Sequence, residues 1–148
     1  MDQVLIYVGA GLAVGLAGFG VALGQAMIAK ESIEILGKNP KLVATLRTYT
    51  VLGIALTETA AIYGLVIAFN IVWSDVVTGA QAIGAGLSIG LTGMGVGLAQ
   101  GKFAAGVLDA INRNPENKKT VMQFMFLFIA LLESVAIYGL VLALNILG

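Results

Sequence analysis

The segments ALTETAAIYGLVIAFN at 55–70 and ALLESVAIYGLVLALN at 130–145 are apolar runs that each enclose one acid, Glu58 or Glu133. They belong to a longer pattern. Shifting the sequence by 75 residues lays 9–72 over 84–147, and 29 of the 64 aligned positions are identical. Self-similarity of that extent marks a supersecondary unit used twice, dividing the chain into hairpin repeats at 1–74 and 75–148. In each half an Asn-Pro pair, Asn39-Pro40 or Asn114-Pro115, separates two long apolar stretches. Proline ends one helix and allows the next to start. The pattern predicts helices over about 3–37, 42–72, 77–111 and 118–147.

Each stretch exceeds the roughly 20 apolar residues that cross about 30 Å of hydrocarbon. Composition agrees: 11% of residues are charged, against about 25% in a soluble domain. The expected fold class is an all-α membrane protein with four transmembrane helices in two tandem hairpins. An even number of spans per repeat makes the halves parallel, not inverted. The opening MDQVLIYVGAGLAVG lacks the basic region of a signal peptide and reads as the start of the first span. All eight basic residues lie in or beside the Asn-Pro turns, and none lies near Trp73-Ser74-Asp75. Positive-inside bias then puts both turns in the cytoplasm and both termini outside. A net charge of zero gives no reason to expect a nucleic-acid partner. Without cysteine or histidine, disulfides, thiolate metal sites and imidazole chemistry are missing.

Small residues mark one face of the first span in each repeat: Gly11, Gly15, Gly18, Ala22 and Ala29, then Gly86, Gly90, Gly93, Gly97 and Ala104. Glycine weakens a helix, but in lipid small residues let backbones approach closely. The stripe is longer than one small-residue pair requires. It predicts first and third helices crowded together, as in the tight inner wall of a ring.

The acids are costlier. A charged carboxylate at the bilayer centre costs about 2.5–3.5 kcal/mol on insertion scales. Glu58 and Glu133 therefore need a proton or a cation, or serve as protonated hydrogen-bonding groups between helices. Their companions repeat with them. Gln25 and Gln100 come to the depth of the acids, Thr59 and Ser134 follow them directly, and Tyr63 and Tyr138 stand five residues on. Hard cations take oxygen ligands, and one carboxylate with neutral oxygens suits a monovalent ion. A proton needs no Gln-and-hydroxyl set, so Na+ ranks ahead of H+. Thr57 precedes only the first acid and adds an optional ligand; the tyrosines read as orienting the carboxyls.

The sequence from Gly9-Ala10-Gly11 to Gly24-Gln25, the turn Lys38-Asn39-Pro40, and Glu58-Thr59 with Tyr63 all recur in the second half. Together they resemble the proteolipid rotor-ring component (the c or K type) of rotary ATPases and ATP synthases. The duplicated hairpin is similar to the V/A-type class rather than the single-hairpin F-type. The resemblance implies a homo-oligomeric ring in the lipid bilayer, beside a stator membrane subunit (a/I-type) with an essential Arg and two half-channels. It also implies central-stalk subunits docking on the turns Lys38, Asn39, Pro40 and Arg113, Asn114, Pro115, and an ATPase head elsewhere in the complex. The chain itself would translocate ions and catalyse nothing. In sodium-dependent members, Gln and Glu of one hairpin are joined by the post-Glu hydroxyl and a carbonyl two residues before Glu from the neighbouring hairpin. Carried over, one site combines Gln25 and Glu58 with a neighbouring Ser134 and the Leu131 carbonyl. The other combines Gln100 and Glu133 with a neighbouring Thr59 and the Leu56 carbonyl. Many duplicated members have lost one acid, whereas this chain keeps both, implying two ions per chain. The competing readings are a small four-span secondary transporter with intramembrane carboxylates and a structural assembly factor.

Overall fold

The proline-free stretch from Asp2 to Lys38 forms one helix, α1 (Asp2–Lys38), in a computed structural model that describes residues 2–148. Asn39 takes the extended backbone (φ −137°, ψ 74°) that a residue before proline favours. A 3₁₀ turn, Pro40–Leu42, then redirects the chain. The return leg is α2 (Val43–Thr57) and α3 (Thr59–Trp73). The second hairpin repeats the design with α4 (Gly79–Arg113), Asn114 at φ −142° and ψ 82°, a 3₁₀ turn at Pro115–Asn117, and α5 (Lys118–Leu147). A capping box between Thr78 and Gln81 closes the start of α4, two residues later than expected. Counting α2 and α3 as one rod, the four rods are long and apolar enough to cross a membrane.

The rod expected over 42–72 forms, with one irregular turn inside it. The Thr57 hydroxyl donates back to the Gly53 carbonyl at 2.8 Å, a contact that can bend helices. The Glu58 amide turns to the Ala55 carbonyl at 3.4 Å, a 3₁₀-type bond, while Glu58 keeps a helical backbone (φ −71°, ψ −24°). In α5 the counterpart of Thr57 is Leu132, which has no hydroxyl, and the helix runs through Glu133 unbroken.

α1 and α4 make the most extensive contact between helices, with α2–α3 and α5 outside them. Glycine makes this possible. A Cβ on Gly101 would strike the backbone of Gly24, and one on Gly97 would strike that of Val21. Gly86 and Gly90 likewise meet the Gly9 and Leu12 carbonyls. The first and third helices are crowded as expected, but their two stripes do not face each other. Gly11, Gly15 and Gly18 have nothing within 4 Å of an added Cβ among the described residues. What α1 brings to α4 instead is Gly9, Ala17, Gly20 and Gly24. The α4 stripe thus packs on a different face of α1 from the one that carries the α1 stripe.

Candidate ion-binding sites

Gln100 lies on the face of α4 turned into the protein and is fully buried. Its Nε2 donates to Glu133 Oε2 at 2.7 Å and reaches the Ile129 carbonyl at 3.5 Å, joining α4 to the middle of α5. Gln100 Oε1 and Glu133 Oε1 are both buried without a hydrogen-bond partner among the described residues. Two unpartnered buried oxygens in one place are costly, and a cation between them would relieve both. No group of three or more His, Cys, Asp or Glu side chains able to hold a metal exists among the described residues. One carboxylate with neutral oxygens matches a single positive charge, not two.

The other half of this surround comes from the first hairpin. The Tyr63 phenol approaches Glu133 closely enough for a side-chain hydrogen bond, although no well-aligned bond forms. Tyr63 therefore serves the acid of the other repeat, where sequence spacing suggests its own, because α3 packs against α5. One turn before it, the Thr59 hydroxyl donates to the Leu56 carbonyl at 2.9 Å, putting both oxygens together. The Leu56 side chain packs in the cluster that contains Met125 and Ile129 of α5.

The first repeat holds the same groups in a more open state. Gln25 Nε2 reaches Glu58 Oε2 at 3.5 Å and the Ile54 carbonyl at 3.4 Å. Glu58 is exposed, whereas Glu133 is half-buried. On the opposite edge of the molecule, the Ser134 hydroxyl donates to the Leu131 carbonyl at 2.7 Å. Tyr138 and Leu131 there are 67% and 59% exposed. One edge thus carries a Gln-Glu pair without a cover, and the other carries a cover without a Gln-Glu pair. The fold unites Gln100, Glu133 and Tyr63 and leaves Gln25 and Glu58 apart from Ser134, Leu131 and Tyr138. Thr57 is fully buried and its hydroxyl donates to the Gly53 carbonyl.

The turns are exposed at Lys38, Pro40, Arg113, Asn114 and Pro115, with Asn39 half-buried. Asn39 Nδ2 meets Asn112 Oδ1 at 3.5 Å, linking the two turns, and Arg113 pairs with Asp109 at 3.2 Å.

Comparison with known proteins gives the same two-fold picture. The family of the ATP synthase C subunit matches residues 8–71 and again 83–146. The chloroplastic ATP synthase c subunit of Porphyra purpurea is 42% identical over 73 residues, covering 49% of this chain and 89% of the relative. Its equivalent in Emiliania huxleyi is 43% identical over 74 residues, covering 50% and 90% respectively. A third, from Phaeodactylum tricornutum, is 42% identical over 72 residues, covering 49% and 88%.

Proposed function

The chain belongs to the ATP synthase C subunit family, and from that premise we propose that copies of it close into a rotor ring whose glutamates carry Na+. As a family member it is an integral membrane, ion-translocating protein and not a catalyst by itself. The family assignment favours the rotor over the small secondary transporter.

The observation that carries the ring is the pair of unmatched edges. Glu133 has a partner hairpin in its own chain; Glu58 has none, and the Ser134–Leu131–Tyr138 cover is free on the far side. A second copy supplies Ser134, the Leu131 carbonyl and Tyr138 to Gln25 and Glu58. Such a contact is heterologous, and heterologous contacts close into rings when the rotation allows. The Glu133 site draws on its own chain: Tyr63 of the first hairpin approaches Glu133, and Thr59 with the Leu56 carbonyl on the same hairpin supplies the remaining ligands in this reading. The two unpartnered oxygens call for a cation or a proton, and the hydroxyl–carbonyl pair in each cover supports Na+ over H+. The duplicated hairpin supports the V/A-type class.

The physics of the machine follows from the cost of a bare carboxylate in lipid. A site holding Na+ is neutral and moves along the lipid-facing perimeter. An emptied site is held near the Arg of a stator subunit and the water in its half-channels. Rotation and transfer are thereby coupled. Each charge that crosses carries about 2.3 kcal/mol per 100 mV, so two ions per chain lower the voltage needed per turn. The basic turns lie in the cytoplasm by positive-inside bias, where Lys38-Asn39-Pro40 and Arg113-Asn114-Pro115 meet a central stalk. Carbodiimide labelling tests the ion: Na+ should slow modification of Glu58 and Glu133 at moderate pH. Labelling indifferent to Na+ but sensitive to pH means protons.

A further inference from the structure

The repeats share backbone and chemistry, so the places where they differ act as an internal control. We infer that the two glutamate sites bind unequally: Glu133, closed by its own chain, keeps its ion at concentrations where Glu58, closed only by a second copy, has released it. This rests on the ring reading above.

Two built-in differences point the same way. First, Glu133 follows Leu132 and lies 2.7 Å from Gln100, whereas Glu58 follows Thr57, whose hydroxyl returns to Gly53, and lies 3.5 Å from Gln25.

The second difference lies in the seams. Between the hairpins of one chain, Gly53 lies against Ala104 and Ile28 in a sealed apolar cluster with Val107 and Met125. The equivalent of Gly53 is Phe128. It borders an open groove of about 810 Å³ along with Phe103 and Phe124. By the repeat, a second copy brings Ser32 and Thr50 there in place of Val107 and Met125, and these two form a hydrogen-bonded hydroxyl pair at 2.7 Å. Further out, Ala13 and Ala17 are fully buried in the inner seam. Their counterparts Ser88 and Thr92 line an open cavity of about 500 Å³ beside Tyr138. Thr50, Ser88 and Thr92 donate within their own chain but keep acceptor lone pairs; a seam lined with them admits water more readily than the apolar inner seam, and water competes with the protein's oxygens for the ion. At intermediate Na+ the loading therefore alternates around the ring, filled at Glu133 and empty at Glu58.

Equilibrium binding of radioactive sodium to the purified wild-type oligomer at fixed pH tests this. Two classes of one ion per chain are expected, at least about tenfold apart in Kd. Glu133→Gln should abolish the tighter class and Glu58→Gln the looser one. Both substitutions keep side-chain shape, and the wild-type isotherm alone decides whether two classes exist. A single class of two ions per chain overturns the inequality while leaving the sodium reading intact, and so does loss of the tighter class in Glu58→Gln. No saturable sodium binding at any pH overturns the reading beneath it as well.

Discussion

Gln100 donates to Glu133 from a fully buried position, so its removal leaves the carboxyl without its only tight partner. Hydrogen bonds to charged groups are worth about 1.5–3 kcal/mol. Gln100→Ala should therefore weaken Na+ binding at Glu133 by roughly ten- to a hundredfold while the oligomer stays assembled, which a sodium titration of the purified protein checks. Gly101 is a different kind of residue. A side chain there meets the Gly24 backbone, which cannot give way. Gly101→Leu should separate α1 from α4 and sharply lower the yield of folded protein in detergent. These roles were legible to different degrees. The acids, glutamines and hydroxyls stood out because oxygen-bearing side chains are costly in an apolar span. Which phenol serves which acid did not, because Tyr63 reaches Glu133 through packing between hairpins that no local spacing encodes.

At the level of the helices, the ends of α1 and α4 were readable from Asn39-Pro40 and Asn114-Pro115, where chain chemistry forces a stop. The irregular turn at Glu58 was not. Thr57 differs visibly from Leu132, but only the folded helix shows its hydroxyl returning to Gly53. Thr57→Val keeps the shape and removes that bond. It should straighten the α2–α3 junction and tighten Na+ binding at Glu58, as measured by the looser phase of the binding isotherm. An unchanged looser phase would remove the back-bond as a cause of weak binding. The glycine stripes give the complementary lesson. Their length correctly indicated close helices, but a single stripe cannot reveal that the α4 stripe packs on another face of α1 and leaves the α1 stripe open.

Across the molecule as a whole, the two unmatched edges are the feature from which assembly follows. Gly18 lies on the open face of α1, where a side chain meets nothing among the described residues. Gly18→Leu should leave the four-rod fold intact but block association, leaving a helical protein of small mass in detergent where the native protein forms a large ring. The duplication itself was plain in the sequence, because 75-residue self-similarity survives divergence of individual side chains. The unlike character of its two seams was not, because it depends on which face of each repeat is left uncovered. A density map of the purified oligomer in sodium decides whether the edges meet. It should show a closed ring in which Ser134, the Leu131 carbonyl and Tyr138 of one copy cover Gln25 and Glu58 of the next, with an ion beside each glutamate. A map in which Glu58 opens onto bulk water, or in which either acid is fastened to a basic side chain of its own chain, would overturn the rotor reading.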